Sequence, residues 1–111
     1  MPSDTLTEVL IVHDHEIVRK GLVMLISRQD DLVVAGEAGS AAEAVEKARE
    51  HTPDVVVLDI RMPDGSGIEA CREIRAENPE VKVLMLTSYS DEEAVMGSIM
   101  AGASGYLLKE I

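Results

Sequence analysis

Apolar positions along the chain fall into two kinds of segment that alternate. Short continuous runs occur at 9–12, 32–35, 55–58 and 83–86, as in Val9-Leu10-Ile11-Val12 and Val55-Val56-Val57-Leu58, with a weaker one at 105–108. Runs this short, rich in branched side chains and bounded by polar residues, predict strands covered on both faces. Between them the spacing becomes helical. Val18, Leu22, Leu25 and Ile26 lie at i, i+4, i+7 and i+8, and Ala41, Ala44, Val45 and Ala48 at i, i+3, i+4 and i+7. Ile68, Cys71 and Ile74 mark a third stripe, and Val95, Ile99 and Ala103 a fourth, each placing one apolar face every 3.6 residues.

The punctuation agrees with this division. Ser40 is placed to cap the second helix, with Glu43 as its capping-box partner. Pro53 and Pro79 follow the second and third helices, where a helix must already have stopped. Asp91 stands where a cap is needed before Glu92-Glu93, two acids that suit the positive end of a helix. The order β-α-β-α-β-α-β-α-β predicts an α/β fold with a doubly wound parallel five-stranded sheet and right-handed crossovers. Ile111 comes directly after the fifth strand, so the helix expected to cover that edge is absent. The expectation is one domain over 1–111 of a truncated chain, the alternative being a fifth strand covered by a partner.

Composition narrows the function. The chain has 111 residues, 46% of them hydrophobic, enough for one core and incompatible with a disordered chain. With 21 acidic and 10 basic residues the formal charge is −11, a surface that repels phosphate backbones and makes the chain a poor candidate for direct nucleic-acid binding, so no such contact is expected. The single cysteine, Cys71, cannot form an internal disulfide, and no Cys/His spacing suggests zinc. Neither a leader-like apolar stretch nor a run of ~18 apolar residues occurs, so a cytoplasmic protein without a membrane segment is expected.

In open α/β sheets ligands bind beyond the carboxyl ends of the strands, which makes the residues ending each apolar run informative. The first run ends in His13-Asp14-His15-Glu16, the third in Asp59, the fourth in Thr87-Ser88 and the fifth in Lys109. In a sheet of order 2-1-3-4-5, Asp14 and Asp59 are neighbours at one rim. Two carboxylates about 5 Å apart repel by roughly 3 kcal/mol at an effective dielectric near 20, so the pair calls for a cation or a proton. A hard divalent ion such as Mg²⁺ accepts such oxygen donors, while Lys109 and Thr87 offer an ammonium and a hydroxyl to a phosphoryl group. Together they form a phosphoryl-transfer set with Asp59 as nucleophile. Any one of them alone reads as an ordinary cap or solvated strand end; only the set points to chemistry.

These residues resemble the receiver domain of bacterial two-component response regulators. The resemblance rests on Val9–Val12 with its acidic turn, on Asp59-Ile60-Arg61-Met62-Pro63-Asp64-Gly65-Ser66-Gly67, on Leu86-Thr87-Ser88, and on Gly102-Ala103-Ser104-Gly105-Tyr106-Leu107-Leu108-Lys109. The last stretch is similar to the subfamily that continues into a LuxR-type helix-turn-helix domain. The resemblance implies a flavodoxin-like fold and a phosphorylation-dependent switch that catalyses only its own phosphorylation and dephosphorylation, with no turnover of a substrate. It implies that Asp59 accepts a phosphoryl group from a sensor histidine kinase, and that Asp14, Asp59 and the backbone carbonyl of Arg61 hold Mg²⁺. Lys109 and Thr87 would contact the phosphoryl oxygens, and Tyr106 would follow by changing burial. Activation would create a homodimer, and a DNA-binding output domain absent from this chain would regulate transcription.

One position departs from the family. Two adjacent acids usually follow the first strand, and His13 replaces the first of them. An imidazole is a poor Mg²⁺ ligand, so weaker Mg²⁺ binding and slower phosphorylation are expected. The alternatives are a phosphate-independent, receiver-like interaction domain with a weakened metal site, or a His13 that is an ordinary rim residue. Aspartyl-nucleophile phosphatases place an acid two residues after the nucleophile, where this chain has Arg61, which argues against a turnover enzyme. Glu16 and Arg19 are expected, on the resemblance alone, to dock the kinase.

Overall fold

The computed structural model describes residues 6–88, 96–97 and 99–109, with side chains for 6–86, 96–97 and 99–105. Five strands, β1 (Thr7–Val12), β2 (Leu32–Ala38), β3 (Val55–Asp59), β4 (Lys82–Ser88) and β5 (Gly105–Lys109), form one sheet. Its order is β2-β1-β3-β4-β5, and every pairing is parallel. Helices α1 (Glu16–Ser27), α2 (Ala41–His51) and α3 (Gly67–Glu77) connect the first four strands. A two-residue antiparallel ladder, Arg61–Met62 with Gly65–Ser66, closes the loop between β3 and α3.

The runs at 9–12, 55–58 and 83–86 are largely buried because helices cover the sheet on both faces, whereas the run at 32–35, expected to be covered likewise, lies on the edge strand and is only partly covered, with Val33 exposed. On one face Leu10, Val12, Val56, Leu58, Val83 and Met85 pack with Ala44 and Ala48 of α2 and Ala70, Cys71 and Ile74 of α3. On the other, Val9, Ile11, Val57 and Leu86 meet Leu22, Val23 and Ile26 of α1. Small alanines on α2 let that helix approach the strands closely, and each buried Leu, Ile or Val contributes roughly 1.5–3 kcal/mol of transfer free energy.

The α1 stripe differs from the expected one. Leu22 and Ile26 face the sheet as expected, with Val23 beside them, whereas Val18 and Leu25 are exposed. Apolar residues cover more of this helix's circumference than one sheet face can contact, and periodicity alone does not choose among them. In the fourth stripe Ala103 packs against the core but Ile99 is exposed, while Val95 and the Asp91 cap lie outside the described residues. Met96 and Met100 are exposed.

Helix ends follow the sequence with one change. The Ser40 hydroxyl accepts from the Glu43 amide at 3.1 Å, but the Glu43 carboxylate reaches the Gly39 amide at 2.8 Å, one residue further out than a capping box requires. Thr52 then ends α2 in the left-handed region at φ 43°.

Candidate functional site

The parallel register brings the expected residues to one edge. The His13 amide donates to the Ala38 carbonyl at 3.0 Å, extending the first pairing one residue beyond β1. Asp59 is the last residue of β3 and lies opposite Leu86, one position before Thr87. On β5, Leu108 pairs with Thr87 and Lys109 with Ser88. The backbones of His13, Asp14, Asp59, Thr87 and Lys109 thus emerge together at the carboxyl ends of four strands. The side chains of Thr87, Tyr106 and Lys109 lie outside the described residues; Tyr106 is placed at a β5 position opposite Met85.

Three side chains converge there. Asp59 is 2% exposed and His13 5%, so both sit below the rim, while Asp14 stands at its lip with its side chain 37% exposed. One donor atom from each of His13, Asp14 and Asp59 lies within 4.8 Å of the others, a spacing one metal ion could bridge. His13 Nε2 faces Asp59 Oδ2 at 3.5 Å, and Nδ1 lies 3.6 Å from Asp14 Oδ1. The His15 amide donates to His13 Nδ1 at 3.0 Å, and the Arg19 guanidinium donates to the His13 carbonyl at 2.8 Å.

The loop that carries the site away from Asp59 is pinned at three places. At its base the Gly67 amide donates to the Ile60 carbonyl at 2.6 Å. A Cβ on Gly67 would lie 2.1 Å from the Asp59 carbonyl oxygen, so no residue but glycine closes the loop there. Met62 anchors its middle in the core at 8% exposure, while Arg61 beside it is exposed. At the tip, Asp64 accepts from the amides of Ala41 and Ala42 at 2.8 and 3.0 Å. These two bonds at the start of α2 hold the Asp64 carboxyl below its ordinary value. Ser66 then caps α3 by accepting from the Ile68 amide at 3.0 Å.

Sequence reasoning missed the Asp64 bridge, the His15 bond to His13, and the role of Arg19. Arg19 donates to Glu37 at 3.1 Å as well as to His13, tying α1 to β2 and to the end of β1, so its guanidinium is engaged within the fold. Burial raises the Glu37 carboxyl, but hydrogen bonds from Lys20 and Arg19 outweigh it and hold that group below its usual range. Cys71 is fully buried on α3, as its place on the stripe predicted, and burial pushes its thiol up.

Comparison with known proteins places these features in a family. The profile of the response regulator receiver domain matches residues 9–111. The DNA-binding transcriptional activator DevR/DosR of Mycobacterium tuberculosis is 50% identical over 106 residues, which are 96% of this chain and 49% of that protein. The chain therefore spans about half the length of this relative. The crystal structure of a LuxR-family two-component response regulator from Aurantimonas sp. SI85-9A1 superposes with a TM-score of 0.89 at 39% identity, over 96% of this chain and 76% of that one. A crystal structure of a CheX–CheY–BeF3–Mg complex from Borrelia burgdorferi superposes with a TM-score of 0.87 at 28% identity, over 96% of this chain and 81% of that one.

Proposed function

Since the chain belongs to the response regulator receiver domain family, we propose that it is a phosphorylation-dependent switch whose phosphoacceptor is Asp59. The observation that carries this reading is the buried Asp59 carboxylate facing His13 and Asp14 at the carboxyl edge of the sheet.

Asp59 ends a strand locked on both sides, so its carboxylate is presented at a fixed point without a search over conformers. One of its oxygens attacks the phosphorus of a phosphohistidine on a sensor histidine kinase. The O–P bond forms as the P–N bond breaks, the kinase imidazole leaves with its electron pair and takes up a proton, and an acyl phosphate remains. The carboxylates of Asp14 and Asp59 are hard oxygen donors that fit Mg²⁺, and the backbone carbonyl of Arg61 would complete the protein's share. A bound Mg²⁺ would offset the charge of the carboxylates and of the phosphoryl oxygens. Lys109 supplies a point charge and Thr87 a hydroxyl to those oxygens.

The phosphoryl group adds about −1.5 to −2 charges, which biases a two-state element near β4 and β5, with Thr87 and Tyr106 as its reporters. The readout is a homodimer, and regulation of transcription falls to a DNA-binding portion of a longer protein of which 1–111 is the receiver. A chain of net charge −11 leaves nucleic-acid contact to that portion. Among the described residues no helix is long and apolar enough to cross a membrane, and a cytoplasmic location is proposed with the rest.

Incubation with acetyl phosphate and Mg²⁺, followed by intact mass spectrometry, tests the reading. A gain of one phosphoryl group that Asp59→Asn abolishes is the expected result. No gain under any condition refutes it and favours the phosphate-independent interaction domain.

A further inference from the structure

The His13 ring has one orientation and one tautomer imposed on it. A backbone amide can only donate, so the 3.0 Å contact from the His15 N–H makes His13 Nδ1 an acceptor with no proton of its own. In the neutral ring the proton is then on Nε2, the nitrogen that faces Asp59 Oδ2 at 3.5 Å. The ring is 5% exposed, and its own carbonyl is held by Arg19 at 2.8 Å, so both flanks of the residue are fixed. Ligation through Nδ1 would break the His15 bond. Ligation through Nε2 would move the proton to Nδ1, where it would meet the His15 N–H head-on.

We propose that His13 is a specificity-determining residue of the cation site: its fixed tautomer presents an N–H, not a lone pair, to the pocket. A divalent ion is then held by oxygen donors alone, weakly and without selection for nitrogen-seeking metals. This rests on the cation-assisted phosphoryl acceptance proposed above. It also gives the departure at position 13 a direct physical meaning. Where a second acid would add charge and oxygen, His13 removes both and points a donor at the phosphoacceptor. Imidazole ligation would leave the opposite signature, because Co²⁺ gains far more from a nitrogen donor than Mg²⁺ does.

Two measurements that need no phosphoryl transfer test the proposal. Two-bond ¹H–¹⁵N correlation on the uniformly labelled wild-type protein reads the tautomer directly. A protonated Nε2 and bare Nδ1 at His13 are expected, and the reverse assignment overturns the proposal. Calorimetric titration with Mg²⁺ and with Co²⁺, using Asp14→Asn as the baseline for adventitious binding, compares wild type with two variants. His13→Asp is expected to raise Mg²⁺ affinity at least tenfold. His13→Asn, which removes the ring but adds no charge, is expected to change the ratio of Co²⁺ to Mg²⁺ affinity less than threefold. A tenfold selective loss of Co²⁺ affinity in His13→Asn, or unchanged Mg²⁺ affinity in His13→Asp, overturns it. Should the metal data hold while acetyl phosphate adds nothing to Asp59, the proposed function fails and the assignment of His13 stands.

Discussion

Replacing Gly67 by alanine is the sharpest test of how Asp59 is held. The new Cβ would lie 2.1 Å from the Asp59 carbonyl oxygen, 2.9 Å from Ile60 Cα and 3.0 Å from the Asp59 carbonyl carbon. All three are backbone atoms, so no side chain can swing aside, and the Gly67 amide bond to the Ile60 carbonyl must open. Overpacking in a core ordinarily costs about 1–3 kcal/mol; a clash with backbone on this scale belongs at the top of that range or above it. At ~4–8 °C per kcal/mol for a domain near this size, about 3 kcal/mol lowers Tm by roughly 12–24 °C. Gly21→Ala is the control. Gly21 lies inside α1, where an added Cβ would meet nothing within 4 Å, and helix propensity favours alanine there by about 0.5–1 kcal/mol. Thermal unfolding followed by circular dichroism should therefore move the two variants in opposite directions. Well below its own Tm, Gly67→Ala should also take up phosphoryl groups from acetyl phosphate more slowly, because the clash displaces Asp59, the proposed nucleophile. A Gly67→Ala protein that melts within a few degrees of wild type would show that the loop is not closed by this contact.

Removing the Asp64 carboxylate should loosen the same loop at its tip. The Ala41 and Ala42 amides hold its folded carboxyl below the ordinary value, so the stabilisation is fully present above the unfolded value and disappears as pH falls through the folded one. The stability gap between wild type and Asp64→Ala should be constant near neutrality and close below about pH 4; a gap unchanged down to pH 2 in acid-unfolding curves refutes this. The Cys71 thiol, buried and shifted upward, should react with a maleimide roughly a thousandfold more slowly in the native protein than in urea, and fast native labelling would show that α3 opens locally. Hydrogen exchange with and without acetyl phosphate and Mg²⁺ should change in the segment from Thr87 to Tyr106 and stay constant in 59–67. The opposite distribution would place the switch in the loop that carries Asp59.

Much of the fold was legible because its strands are unambiguous. Val9–Val12 and Val55–Leu58 are too short for helices, and their burial on both faces demands crossovers, so a doubly wound parallel sheet followed from the pattern, while its strand order came with the family resemblance. The edge of the sheet was legible for the same reason, since Asp14, Asp59, Thr87 and Lys109 stand just beyond apolar runs. What escaped is what depends on three-dimensional closure. The Asp64 carboxylate meets α2 amides more than twenty residues away toward the N-terminus, and nothing local in Pro63-Asp64-Gly65 points that far. The loss of Val18 and Leu25 from the α1 contact and the gain of Val23 beside Leu22 and Ile26 are a choice of helix rotation, which periodicity leaves free. The tautomer of His13 was out of reach of any reading of residue types, being decided by one amide two residues on.

These contacts divide the neighbourhood of Asp59 into a fixed side and a side left to respond. Toward α2 and α3 the loop is held by a glycine that tolerates no side chain, by a buried methionine and by a carboxylate bridging two amides of another helix. None of those groups contacts a phosphoryl group on Asp59 in the proposed chemistry, so none gains a new partner when one arrives. A ligand shifts a two-state element only by its differential interaction with the two states, and in the proposed function the phosphoryl oxygens would acquire theirs from Thr87 and Lys109 on β4 and β5. On that proposal the free energy of acyl-phosphate formation would be directed across the sheet, away from the pinned loop. That same pinning would keep the carboxylate in one position before and after the proposed transfer, which suits acceptance of a phosphoryl group from a kinase phosphohistidine and its later release to water.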